Sequence, residues 1–206
     1  VMGTLRHPVA RHLRDRIVHF VMGLEVVQQR FAFRMAELGV NYRHSPIVGQ
    51  AWNANFPGLH GSGPGPGDRA IDGQVIDAKT AENLRLFEVL RGVNHKLLIF
   101  SGPNPSADDL RNIEETGRLP VHHYPNTITA HFIVRGAQAP PGSLWAGRML
   151  LDSDGALHRR YAASAPCFYV IRPDGYVGFR ALPLKAEPMW EYLNQSLIYV
   201  AHPVRI

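Results

Sequence analysis

The stretch Lys96-Leu97-Leu98-Ile99-Phe100-Ser101-Gly102-Pro103-Asn104-Pro105-Ser106 decides the fold. Its first five residues are an apolar run too short for a helix, and Gly and Pro close it, so it reads as a buried strand. Ser106 then opens a helix. Its hydroxyl can accept an orphan N–H of the first turn, and Asp109 stands three positions on as the capping-box partner. The stretch predicts a strand, a tight turn and a helix running to about Arg118.

Working outward, Thr127 to Val134 reads as a second strand. Ser164-Ala165-Pro166 leads into a third, Cys167-Phe168-Tyr169-Val170-Ile171. Arg172-Pro173-Asp174-Gly175 is a turn, because proline sets one central φ and glycine accepts a positive one. Tyr176-Val177-Gly178-Phe179-Arg180 returns as the hairpin partner. Met189 to Val200 closes with a helix, with Pro188 placed at its start. Thr80 to Val89 is a short helix or a strand and turn. The order strand, helix, strand, connection, strand, hairpin strand, helix predicts an α/β chain. It is the order of a thioredoxin-like mixed sheet with flanking helices, here over residues 68–206. In that fold the bond to the proline before the third strand is cis, so a cis bond is expected at Pro166.

Ahead of it, Val9, Leu13, Ile17, Phe20, Leu24, Val27, Phe31, Met35 and Leu38 recur by threes and fours, one helical stripe. Residues 1–52 are therefore expected to form an N-terminal helical segment whose residues 40–50 read as extended, and residues 53–67, rich in Gly and Pro, a linker or surface loop. The run Gly61-Ser62-Gly63-Pro64-Gly65-Pro66-Gly67 is no phosphate cradle: it lacks the closing Gly-Lys-Ser/Thr, and its prolines remove amide donors.

Of the 206 residues 45% are apolar, enough for a sizeable core. The formal net charge is +5, but the basic residues are dispersed and mostly arginine, which argues against a nucleic-acid surface. No apolar run reaches the length of a membrane span, and charges at Arg6, Arg11, Arg14 and Asp15 break any signal-peptide pattern. A cytoplasmic protein without membrane or nucleic-acid partners is expected. The single cysteine, Cys167, excludes an intrachain disulfide and a Cys-rich zinc site.

In the thioredoxin-like fold, redox chemistry sits where the first strand meets its helix, because the helix start lowers a thiol pKa. Ser101 to Ser106 contains no cysteine, so dithiol exchange and peroxidase chemistry are excluded there. Cys167, at the start of an apolar strand, reads as a buried core residue. The eleven histidines fall in no HExxH or Cys/His grid and read as surface or locally hydrogen-bonded groups. Asp152-x-Asp154-Gly155 opens like a calcium loop but lacks the later ligands, and reads as a turn. No catalytic, cofactor or metal residue is assigned.

Two segments carry a resemblance. Gly67-Asp68-Arg69-Ala70-Ile71-Asp72-Gly73 resembles a G-x-R-A-P-D motif, with Ile71 in place of proline. Val170-Ile171-Arg172-Pro173-Asp174-Gly175 through Arg180 resembles V-R-P-D-G-x-x-x-x-R. Both motifs belong to the C-terminal region of FAD-dependent aromatic-ring hydroxylases, the phenol and polyketide hydroxylase group. Arg6-His7-Pro8-Val9-Ala10 is similar to that family's R-R-P-V-A segment. The resemblance implies that residues 1–52 are the tail of a flavin domain. Gly67, Asp68, Arg69, Asp72, Arg172, Pro173, Asp174, Gly175 and Arg180 of these motifs, and Pro166 of the thioredoxin-like reading, are expected to be structural rather than catalytic. FAD and NAD(P)H would serve the parent assembly, through a flavin-binding domain in cis or on a separate chain. The G-x-G-x-x-G cofactor loop is not in this sequence, so the chain alone would neither bind FAD nor act as a monooxygenase. The alternative, from a different class, is a stand-alone thioredoxin-like binding or dimerisation module without catalytic activity, its partner being a second copy of the chain.

Overall fold

The computed structural model describes residues 41–56, 58, 61–141, 143, 145 and 147–197. The expected helical stripe over 8–38 lies outside the described residues. So do the segment 6–10, which carries part of the hydroxylase resemblance, and residues 198–200, expected to end the closing helix.

Twelve elements follow in order: β1 (Gly49–Trp52), β2 (Gln74–Asp77), β3 (Asn83–Arg85), α1 (Leu86–Val89), β4 (His95–Phe100), α2 (Ala107–His123), β5 (Ile128–Arg135), β6 (Arg148–Asp152), α3 (Ala156–Arg160), β7 (Cys167–Ile171), β8 (Val177–Leu182) and α4 (Ala186–Leu197). The strands form one eight-stranded mixed sheet, ordered β1-β8-β7-β4-β5-β6-β2-β3. β4, β5 and β6 run parallel; β7 runs antiparallel to both β4 and β8. This is the α/β, thioredoxin-like architecture expected from the sequence.

The central strands are continuous apolar runs because both of their faces are covered. One face packs Leu97, Ile99, Phe132 and Phe168 against Leu110 and Ile113 of α2 and Met189 and Leu193 of α4. The other packs Leu98, Phe100, Ile133 and Tyr169 against Leu86 of α1, Leu157 of α3 and Tyr161. Ser106 caps α2 as expected: its Oγ accepts from Asp109 N at 3.1 Å, and Asp109 Oδ2 accepts from Ser106 N at 2.9 Å. The helix continues past Arg118 to His123 with the buried Pro120 inside it, so the sacrificed ladder bond is offset by packing.

β1 overlaps the stretch 40–50 expected to be extended; it joins the sheet parallel to β8, so the sheet begins within the segment 1–52, ahead of the expected domain start at residue 68. Within the Gly/Pro-rich stretch, Ser62 and Pro64 belong to a loop tied to the sheet, because Arg180 Nη1 donates to their carbonyls. The Ala165–Pro166 bond is trans; the cis bond is Leu182–Pro183, in the adjoining segment, where Leu184 N donates to Pro166 O at 2.8 Å. An X-Pro pair in sequence does not carry its isomer, which only the fold sets.

Candidate functional site

The cysteine-free loop after β4 is held from within. Ser101 Oγ donates to Gly102 O at 2.6 Å and accepts from Arg135 N at 3.1 Å. It lies 3.3 Å from His158 Nε2, and His158 Nδ1 lies 2.7 Å from Asp152 Oδ2. Asp152 also accepts from the backbone N–H groups of Leu157 and His158, at 3.2 and 2.8 Å, which starts α3. Burial alone would raise the Asp152 carboxyl, but these hydrogen bonds outweigh it and hold the pKa below the usual carboxylate range.

The Ser–His–Asp order is that of nucleophilic catalysis. Access decides against it. Ser101 is 1% exposed, His158 3% and Asp152 0%, so no substrate reaches the hydroxyl. The hydroxyl has one proton, and Gly102 O competes for it at the shorter distance. The trio pins the β4–α2 loop to β5, β6 and α3. Beside the loop, Pro103, Asn104 and Pro166 line a pocket of about 360 Å³ with no thiol in it. Cys167 is fully buried, and burial pushes its thiol pKa up.

A larger concavity lies elsewhere, a groove of about 1020 Å³ between α2 and the edge of β5. β5 is paired to β4 from Ile128 onward but to β6 only from His131, so Ile128 to Ala130 form an open edge. On the α2 side, Trp145 rests on Gly117, where a Cβ would come within 2.2 Å of the ring, and lies 5.6 Å from Phe132. On the other face of the sheet, strand alternation puts Thr129 and His131 with Ile133. Thr129 Oγ1 and both ring nitrogens of His131 are buried without a hydrogen-bond partner. Burial, then the positive charges of Lys96 and Arg148, pull the His131 pKa down to about 4. His131 thus departs from the expected surface or locally bonded histidine. Among the described residues no group of three His, Cys, Asp or Glu could hold a metal. No described helix is long and apolar enough to cross a membrane.

The residues singled out from sequence meet at a different place. Gly67 takes φ +78° and passes so close to Tyr42 that a Cβ would lie 2.3 Å from its carbonyl carbon. Gly67 N donates to Val177 O, Val177 N to Asp68 O, and Ala70 N to Gly175 O, so the 67–70 segment is laid against the hairpin; Arg69 bridges Tyr176. The Asp68 carboxylate accepts from Arg43 and Gly65, and Asp72 from Gly73 and Phe87 at the start of α1. Arg172 pairs with Asp174, and Gly175 turns at φ +84° beside the exposed Pro173. Arg180 lies over the Trp52 ring at 4.3 Å and donates to Gln50. Pro166 stands apart from this group, in the smaller pocket. Nothing in the sequence marked Thr129, His131 or Trp145.

No family model matches the chain, and no curated protein matches it. Similar solved structures are mostly thioredoxin-like disulfide-exchange proteins and peroxidases. A thiol:disulfide interchange protein DsbE from Chlorobium tepidum is 15% identical with TM-score 0.50, over 66% of this chain and 98% of that one. A thiol peroxidase from Chromobacterium violaceum is 15% identical with TM-score 0.52, over 72% of this chain and 96% of that one. A ternary complex of aklavinone-11 hydroxylase with FAD and aklavinone is 18% identical with TM-score 0.51, over 77% of this chain but 26% of that one. At these identities the likeness is one of fold. It corrects the aromatic-hydroxylase resemblance: membership of that family, and FAD and NAD(P)H as its cofactors, find no support. The physical reason is that both motifs serve the fold, a tight turn and the segment laid against it, and short fold-building motifs do not specify a family. The flavin-binding partner rested on that resemblance alone.

Proposed function

We propose that this chain is a thioredoxin-like binding module that performs no dithiol chemistry and takes small apolar ligands in the groove between α2 and β5. One observation carries the reading. The fold's redox position, Ser101 to Ser106, has no cysteine, while a groove of about 1020 Å³ walled by Trp145 stands open elsewhere on the domain. A concave site of this size with a few polar groups at one end is the usual form of a small-molecule site. The module would work in the cytoplasm, a reading supported by a lone cysteine that is free and buried.

The test uses the full chain and phenylnaphthylamine, a neutral fluorescent probe. Saturable binding at one site, weakened by Trp145→Ala, is expected. Absence of saturable binding, or reduction of insulin disulfides by the protein in the presence of dithiothreitol, would overturn the reading.

A further inference from the structure

The groove has a polar end that the fold itself does not use. Thr129 and His131 sit two residues apart on β5, on the same face of the sheet. Thr129 Oγ1 and both imidazole nitrogens of His131 are shielded from water yet have no partner. Buried polar groups in folded proteins are nearly always hydrogen-bonded, and each orphan is unfavourable. Next to them, in register with Thr129, stands Lys96, 8% exposed. No acidic residue pairs with it among the described residues. Arg148, opposite His131 in the β5–β6 register, completes the group, its Nε donating to Asp77. The result is two cations and two unanswered polar side chains around one spot. Thr129, His131 and Arg148 line the groove itself.

The opposite part of the groove has other chemistry. Trp145, Gly117 and Ala130 give it a flat apolar wall, and the lip on α2 carries both signs, Glu115 with Arg111 and Arg118. The lining of the groove takes in Ala130 from the α2 face and Thr129 and His131 from the other, beside the open edge Ile128 to Ala130, where β6 has not yet begun.

We infer that the groove binds a flat apolar anion, its ring on Trp145 and its carboxylate, sulfonate or similar head taking hydrogen bonds from Thr129 and His131 beside Lys96 and Arg148. The inference rests on the binding reading above and adds the charge of the ligand. An anion answers the three groups that lack a partner together: it accepts from the hydroxyl and from a ring N–H, and it neutralises the uncompensated Lys96. A cation would meet two like charges, and a neutral ring would leave the orphans as they are.

The experiment compares two probes that differ by one charged group: neutral phenylnaphthylamine and anilinonaphthalene sulfonate, titrated into the full chain at moderate salt. The sulfonate should bind about tenfold more tightly, the worth of one charge-assisted hydrogen bond. Thr129→Val and His131→Leu should each remove most of that preference, read as the ratio of the two probes' affinities for the same variant. His131→Leu should also raise the urea midpoint, since it replaces an orphaned polar ring by an apolar side chain; a histidine kept for structure would lower it. Equal binding of the two probes, or a sulfonate preference unmoved by Thr129→Val and His131→Leu, overturns the anion site while the groove reading stands. Failure of both probes to bind overturns both.

Discussion

His158 Nδ1 lies 2.7 Å from Asp152 Oδ2, with the two side chains 3% and 0% exposed. The carboxylate serves three donors at once, this ring nitrogen and the backbone N–H groups of Leu157 and His158. Removing it leaves all three buried and unanswered. Asp152→Ala should therefore destabilise the domain by about 3 kcal/mol in urea denaturation. Because the folded pKa of Asp152 is depressed, its contribution is present above the ordinary carboxylate range and is lost as the pH falls through the folded value. The stability gap between wild type and Asp152→Ala should narrow below about pH 4. A constant gap down to acid unfolding would sink this account.

Arg180 ties together parts of the chain that are distant in sequence: Gln50 on β1, the carbonyls of Ser62 and Pro64, and the Trp52 ring. A planar guanidinium donates in several directions at once while stacking on an indole; an ammonium cannot. Arg180→Lys keeps the charge and should still cost about 2 kcal/mol. Limited proteolysis should then cut around Ser62 to Pro64 faster than in wild type. An unchanged digestion pattern would mean that Arg180 does not hold the loop.

The strands β4, β7 and β8 were legible because their apolar runs are long enough to declare burial on both faces. The Ser106–Asp109 cap was legible because its chemistry is local. β6 was not: Arg148-Met149-Leu150-Leu151-Asp152 is short and charged at both ends, and pairing with β5 and β2 makes it a strand. α3 has five residues and depends on a carboxylate outside it. The groove was hidden for the same kind of reason. Thr129 and His131 look like ordinary strand residues, Trp145 sits in a loop, and Lys96 belongs to another strand. Only parallel pairing in one register sets Lys96 beside Thr129 and Arg148 beside His131.

Cys167 starts β7 opposite Phe100 and is fully buried, and burial raises the pKa of its thiol. A thiol of this kind is neither ionised nor reachable at neutral pH. An aromatic disulfide reagent should leave native protein unlabelled for hours and label it within seconds in concentrated urea. Rapid stoichiometric labelling of the native protein would show that β7 opens far more readily than its packing implies.

His131 has the strongest pH signature. Lys96 faces it from β4 and Arg148 from β6, Arg148 being itself paired with Asp77 of β2, and its own strand adds only the neutral Thr129. Burial first, then those two positive charges, lowers its pKa to about 4. An unfolded histidine titrates near 6.5. Between these values the unfolded chain binds the proton and the folded chain does not, so stability falls as the pH drops from about 6.5 to about 4 and then levels off. The full effect is about 3 kcal/mol. The measurement is the difference between wild type and His131→Leu in urea denaturation across that range, which cancels the carboxylates the two proteins share. His131→Leu should gain on wild type steadily as the pH falls. Bound anilinonaphthalene sulfonate should reduce the wild-type loss, because an anion at the ring favours its protonated form. A difference curve flat from pH 7 to pH 4 would show that the ring is answered by water or by a residue other than these.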